Sequence, residues 1–223
     1  MVPRVEATGS SGALSRAEPH VRRWLRPALW LLVVLPLVWL AWRGVQGDLG
    51  ANPIEKLEDE TGKWTLRFLA ASLAITPLIA VTRWGWLITQ RRFLGLTAFT
   101  YACLHLSIYI GVDNFFDVDD IVKDVLKHLY VTVGMAAFLM LLPLAITSTK
   151  ASIRRLGGKR WNQLHRLVYP AAVAGCIHFM WAVKKDITEP LIYIAVFAVL
   201  LGFRLRGATR AKGRARRATA PAA

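Results

Sequence analysis

"KRWNQLHRLVYPAAVAGCIHFMW", residues 159–181, opens on three cations among its first eight residues and then runs into an apolar stretch carrying two histidines, His165 and His178. A stretch this long and this apolar reads as a helix in lipid, where roughly 20 apolar residues cross a hydrocarbon core of ~30 Å. With its flanks it forms a span over 161–183, and both histidines lie inside it. Five other stretches approach the same length: 27–46, 64–82, 93–112, 129–147 and 188–206. The last is the weakest, because its continuous apolar part runs only from Leu191 to Phe203, and Arg204 and Arg206 must snorkel to the interface. Pro36, Pro77, Pro143 and Pro170 each sit inside a span, which membrane helices tolerate better than soluble ones. The fold expected is an all-α integral membrane protein, a six-helix bundle over 27–206 between basic tails, 1–26 and 207–223, both expected to be disordered.

Composition agrees. Of 223 residues, 55% are hydrophobic and nine are Trp, which is too apolar for a soluble domain with a wet surface. The net charge of +15 does not point to nucleic acid, because the cations cluster between apolar runs without aromatic interleaving. Assigning loops alternately to two sides places 21 of the 29 Lys and Arg on the side of both termini, with only Glu6 and Glu18 of the acids. The opposite side collects the acids, chiefly in "GDLGANPIEKLEDETGK" and "VDNFFDVDDIVKDVLKH". The positive-inside bias then makes both termini cytoplasmic. With no small-residue cleavage site after Trp42, the first apolar run reads as a retained anchor and not a cleaved signal. Cys103 and Cys176 lie in apolar runs as small hydrophobes, and no CxxC motif marks a thiol centre.

Ionisable groups at membrane depth are costly and are kept for function, and neutral imidazole is a ready metal ligand. His105, His165 and His178 fall inside spans, whereas His20 belongs to the tail and His128 to the far-side loop. At ~1.5 Å per residue His165 lies roughly 6 Å into its span from the cytoplasm, His178 about 26 Å, and His105 about 18 Å into the third. His105 and His178 therefore approach one level, while His165 stands apart near the inner face. Two imidazoles from facing helices at similar depth suit axial ligation of a b-type haem. Hydrogen bonding between helices is the plainer role for any single one of them. A closed zinc site would want Cys, Asp or Glu at short spacing beside them, and a proton path would want intramembrane carboxylates. One obstacle is angular. Thirteen residues at 100° turn His178 about 220° from His165, so that an ideal helix would not aim both at one neighbour unless Pro170, between them, rewinds the turn.

"NPIEKLEDETGKW" after the first span, "RRFLGLTAFTYACLHLSIYI" in the third, "YVTVGMAAFLMLLPLAITS" in the fourth and "RWNQLHRLVY" opening the fifth occur in that order. Together they resemble the haem-binding membrane subunit of the bacterial periplasmic protein-methionine-sulfoxide reductase system, within the ferric-reductase-like transmembrane group. The resemblance covers about 27–206. It implies an inner-membrane electron conduit that binds one or two haem b, is associated with FMN, and takes electrons from the quinone pool or a cytoplasmic flavin reductase. Such a subunit passes them to a periplasmic molybdopterin methionine-sulfoxide reductase that repairs oxidised proteins, so it serves electron transfer and is not itself the catalytic subunit. The family's motif histidines fall on His105, His165 and His178. In the oxidase relatives the third span supplies two ligands; here the positions thirteen and fourteen residues before His105 are Arg92 and Arg91. That departs from a symmetrical four-histidine, two-haem arrangement.

No GxGxxG follows a strand, and "RLGGKRW" reads as a basic loop, so the donor is a quinone or another protein. Arg160, Trp161 and Arg166 suit lipid anchoring, haem propionates or a flavin phosphate. Two other readings stay open: a membrane ferric reductase, and a haem-free transporter or scaffold in which the histidines bridge helices.

Overall fold

The computed structural model describes residues 11–183 and 186–218, and every regular element among them is helical. The chain divides into two compact units, Met1–Pro53 and Ile54–Ala223. The first holds α1 (Ser11–Val45), of which Pro27–Val45 is long and apolar enough to cross a membrane. A turn through Gly47 and Gly50 ends it, at φ of 69° and 87° that a Cβ disfavours. Arg43 in the last turn donates to the Asp48 carboxylate at 3.1 Å and the Asp48 carbonyl at 2.5 Å, placing a cation at the electronegative end of the helix.

α2 (Pro53–Thr82) opens the second unit, eleven residues before the expected span. Its acid-rich start continues the helix because the charges pair along it: Lys56 with Asp59 and Glu60, and Lys63 with Asp59. Lys63 also pairs with Glu189, across to the start of the last helix. A 3₁₀ turn, Gly85–Leu87, leads into α3 (Ile88–Ile108), which closes with a π turn, Tyr109–Asp113. The far-side loop then contains a short helix, α4 (Val118–Lys127), not anticipated from the sequence. Asp117 caps it, its carboxylate accepting from the amides of Asp119 and Asp120 at 3.0 and 3.1 Å.

α5 (Leu129–Ile146) matches its expected span. The basic loop that follows is also helical, as α6 (Lys150–Leu164), broken at Gly157 where φ is 73°. The fifth span is therefore not one helix. It is the end of α6, a 3₁₀ turn at His165–Leu167, and α7 (Val168–Ala182). Pro170 is the physical cause: with no N–H to offer the Arg166 carbonyl and a ring that crowds it, it prevents a regular α turn there. α8 (Thr188–Ala218) is the last described element. The tails expected to be disordered, 1–26 and 207–223, are instead helical over 11–26 and 207–218, where alanine, leucine and arginine, all strong helix formers, continue α1 and α8 beyond their apolar parts; the rest, 1–10 and 219–223, lies outside the described residues.

Five described helical segments are long and apolar enough to cross a membrane, and α7 supplies the sixth apolar segment. The core of the second unit centres on α2 and α3, where Phe68, 2% exposed, packs on Tyr101 with ring centroids 5.1 Å apart and Trp64 beside them. α5 and α7 pack against each other along their length. α8 is tied in through Arg204, which donates to the Leu73 carbonyl at 3.1 Å and the Thr76 hydroxyl at 3.0 Å, and through Arg67 to the Tyr193 hydroxyl. Leu139, Ile146 and Val199 are outward and exposed, the apolar exterior of a multi-pass membrane protein.

Candidate functional site

His105 closes the inward stripe of α3, after Leu94, Ala98 and Tyr101 at intervals of four, three and four residues. His178 follows Ala171 and Gly175 at intervals of four and three residues on the side of α7 turned to its neighbours. The structure brings these two rings together, with centroids 6.0 Å apart and planes at 77°. Four helices contribute, because each ring is held by a further element. His105 Nδ1 lies 2.9 Å from the Glu58 carbonyl of α2, and His178 Nδ1 lies 2.7 Å from the Tyr130 carbonyl of α5.

A carbonyl only accepts, so Nδ1 carries the proton on both rings and each Nε2 keeps its lone pair. This is the arrangement of metal-binding imidazoles, whose second nitrogen is tied to a carbonyl or carboxylate. Thr61, 2% exposed, adds to the His105 side: its hydroxyl donates to the Leu57 carbonyl at 2.7 Å and presents its lone pairs to Nδ1 at 3.5 Å.

The structure does not bring His165 to this pair. His165 sits at the opposite end of α5, stacked on Trp161 with centroids 3.8 Å apart, its Nε2 3.1 Å from the Thr147 hydroxyl. That hydroxyl donates to the Pro143 carbonyl at 2.6 Å, so it accepts from Nε2–H and leaves Nδ1 as the free nitrogen. Trp161 closes the arrangement by donating to the Thr147 carbonyl at 3.0 Å. Both α7-side histidines thus reach one helix after all. Three residues at the 120° of a 3₁₀ turn add about 60° to the 220° of an ideal helix, which leaves the two within roughly 80° of each other. His128 belongs to neither group; it pairs with Asp124 at 2.5 Å, and Asp124 also accepts from the Tyr109 hydroxyl at 2.7 Å. His20 is a residue whose side chain lies outside those described.

Among the described residues no group of three or more His, Cys, Asp or Glu is arranged to hold a metal ion, so the central pair offers two ligands. Haem iron asks for that number, since its macrocycle fills the other positions. The two rings stand 6.0 Å apart centre to centre, and both Nδ1 atoms are committed elsewhere, so the Nε2 atoms are the ones that would hold such a group. The donor set fits haem. Sequence reasoning missed Glu58, Thr61 and Tyr130, which act through backbone carbonyls or a buried hydroxyl, and also Gly62 and Gly134, which line the two rings. Such contributions leave no residue-type signal.

A bundle of apolar helices with paired imidazoles inside it defines the class of membrane proteins to compare. Residues 61–176 match the family model described as ferric reductase like transmembrane component. The chain is 55% identical over 187 residues to the protein-methionine-sulfoxide reductase heme-binding subunit MsrQ of Rhodospirillum rubrum, a match covering 83% of this chain and 89% of that protein. It is 49% identical over 191 residues to the subunit of the same name from Azospira oryzae, covering 85% and 82%. For that of Caulobacter vibrioides the figures are 48% over 177 residues, covering 79% and 84%. The chain belongs to this family of heme-binding subunits, within the ferric-reductase-like transmembrane group. No solved structure matches it significantly.

Proposed function

We propose that the protein is a transmembrane electron conduit that binds haem b between His105 and His178. The observation that carries this reading is the pair itself: two imidazoles 6.0 Å apart, each with Nδ1 committed to a backbone carbonyl and Nε2 available. Haem, when bound, supplies a reversible one-electron couple. The chain's own contribution is to hold two neutral imidazoles at a fixed separation, to exclude water with α2, α3, α5 and α7, and to set the depth of the site. The names of the relatives support the same reading.

The finer assignments follow from the charge pattern and the relatives together. Both termini face the cytoplasm, and the acid-rich side with α4 faces the periplasm of a bacterial inner membrane. Electrons enter from quinone or a cytoplasmic flavin reductase and leave to a periplasmic molybdopterin methionine-sulfoxide reductase. His165, held by Trp161 and Thr147, belongs to the entry side, where it ligates or supports a second cofactor. The test is a dithionite-reduced minus oxidised spectrum with haem quantitation, on detergent-purified protein and on His105→Ala, His178→Ala and His165→Ala. The expected result is loss of one haem signal in the first two variants and its retention in the third. Fully folded protein without haem would overturn the reading.

A further inference from the structure

The two central histidines are held by one local device built twice. On α2 the Glu58 carbonyl accepts from His105 Nδ1 at 2.9 Å, and four residues on stands Gly62. On α5 the Tyr130 carbonyl accepts from His178 Nδ1 at 2.7 Å, and four residues on stands Gly134. In an α-helix the carbonyl at one position also receives the amide four residues later, so each imidazole N–H joins the amide of its glycine on one oxygen. A carbonyl has two lone pairs and serves both donors. The ring must then lie close over the residue that supplies the amide.

At Gly134 it lies too close for any side chain. A Cβ there would stand 2.6 Å from His178 Nδ1 and 2.8 Å from Cε1. Relieving that overlap moves the ring by most of an ångström, which stretches the 2.7 Å bond out of hydrogen-bonding range. At Gly62 a Cβ would stand 3.4 Å from His105 Nδ1 and Cε1, van der Waals contact that leaves the ring where it is. Helix packing alone does not account for this. Gly175, which serves packing, meets an aliphatic carbon of Leu66 at 3.2 Å, whereas Gly62 and Gly134 meet a hydrogen-bonded ring nitrogen.

We infer that Gly134 is a positioning residue, its pairing with the Tyr130 carbonyl fixing the tautomer and rotation of the haem-ligating His178 imidazole, and that position 134 admits no side chain. The inference rests on His105 and His178 being the axial pair. A carbonyl holding Nδ1–H makes Nε2 a stronger donor, so loosening that bond weakens the ligand and raises the reduction potential of the group it holds.

The experiment uses the full chain in detergent: wild type, Gly134→Ala, His178→Ala and, as a control, Gly202→Ala, where a Cβ meets nothing within 4 Å. Haem per chain, the electron paramagnetic resonance signal of the oxidised protein and the midpoint potential are read without donor or partner. Gly134→Ala is expected to lose at least half its haem, or to keep it with an altered low-spin signal and a more positive potential. Gly202→Ala matches wild type. Folded Gly134→Ala with wild-type haem, signal and potential overturns the inference. Should Gly134→Ala fail to fold, the double variant Gly134→Ala, His178→Ala decides: folding as well as His178→Ala alone supports the inference, because the clash is with that ring, and a failure to fold while His178→Ala folds overturns it. Wild type without haem, or His178→Ala with an unchanged spectrum, overturns the ligation reading and this inference with it; a wild-type result from Gly134→Ala overturns the inference only.

Discussion

The side chain of Phe68 shows what a single residue contributes to this bundle. It is 2% exposed and wedged between Trp64 and Tyr101, so Phe68→Ala leaves a cavity at the centre of the second unit. The cost expected is about 3–5 kcal/mol, read as a lowered thermal midpoint in detergent, and a variant as stable as wild type would contradict the packing described. Histidines were legible at this scale because imidazole inside an apolar run stands out by residue type. Their partners were not. Glu58 and Tyr130 hold the rings through carbonyls that every residue possesses, and Gly134 acts by what it lacks. The one signal in the sequence is the four-residue interval from Tyr130 to Gly134, and it has meaning only once a ring is known to lie there.

Among the elements, the 3₁₀ turn at His165–Leu167 is the departure from regularity with the clearest cause and the clearest effect. It turns His165 toward Thr147. Thr147→Val removes that bond and is expected to cost about 1 kcal/mol in wild type. On a Pro170→Ala background, where a regular helix turns His165 away, the same change is expected to cost nothing, and a double-mutant cycle measures the difference. Helix ends give further tests. Asp117→Ala uncaps α4 at about 1 kcal/mol, visible as faster amide exchange confined to that helix. Asp186 performs the corresponding task for α8, and hydrogen bonds from the hydroxyl and amide of Thr188 hold its carboxyl below the usual carboxylate range. Its contribution is therefore present at neutral pH and lost as pH falls through the lowered value, which predicts faster exchange in the first turn of α8 only under strong acid. Spans were legible as apolar runs, with boundaries good to a turn or so where no charge crosses them. α2 ran longer than expected because its acids and lysines pair along the helix, and α4 was missed because its capping aspartate sits in a charge-rich stretch that reads equally well as loop.

For the molecule as a whole, the asymmetry of Lys and Arg predicts which side each end of the bundle faces. In protein whose Cys103 and Cys176 are replaced by alanine, Leu126→Cys is expected to react with an impermeant maleimide in intact cells, and Ile153→Cys only after permeabilisation. The reverse pattern would invert the topology. Length also matters at this scale. α7 has 15 residues and so rises about 22 Å, and the crossing reaches the ~30 Å of a hydrocarbon core because the 3₁₀ turn and the last turn of α6 add about 12 Å to it. The irregular turn is thus part of the crossing and not a loop outside it. One end of this segment is tied to α5 through His178 and Tyr130, and the other through His165 and Thr147. Pinned at both ends to the same neighbour, the segment cannot slide along α5, and it works as a ruler that holds the two histidines at a fixed separation along the membrane normal.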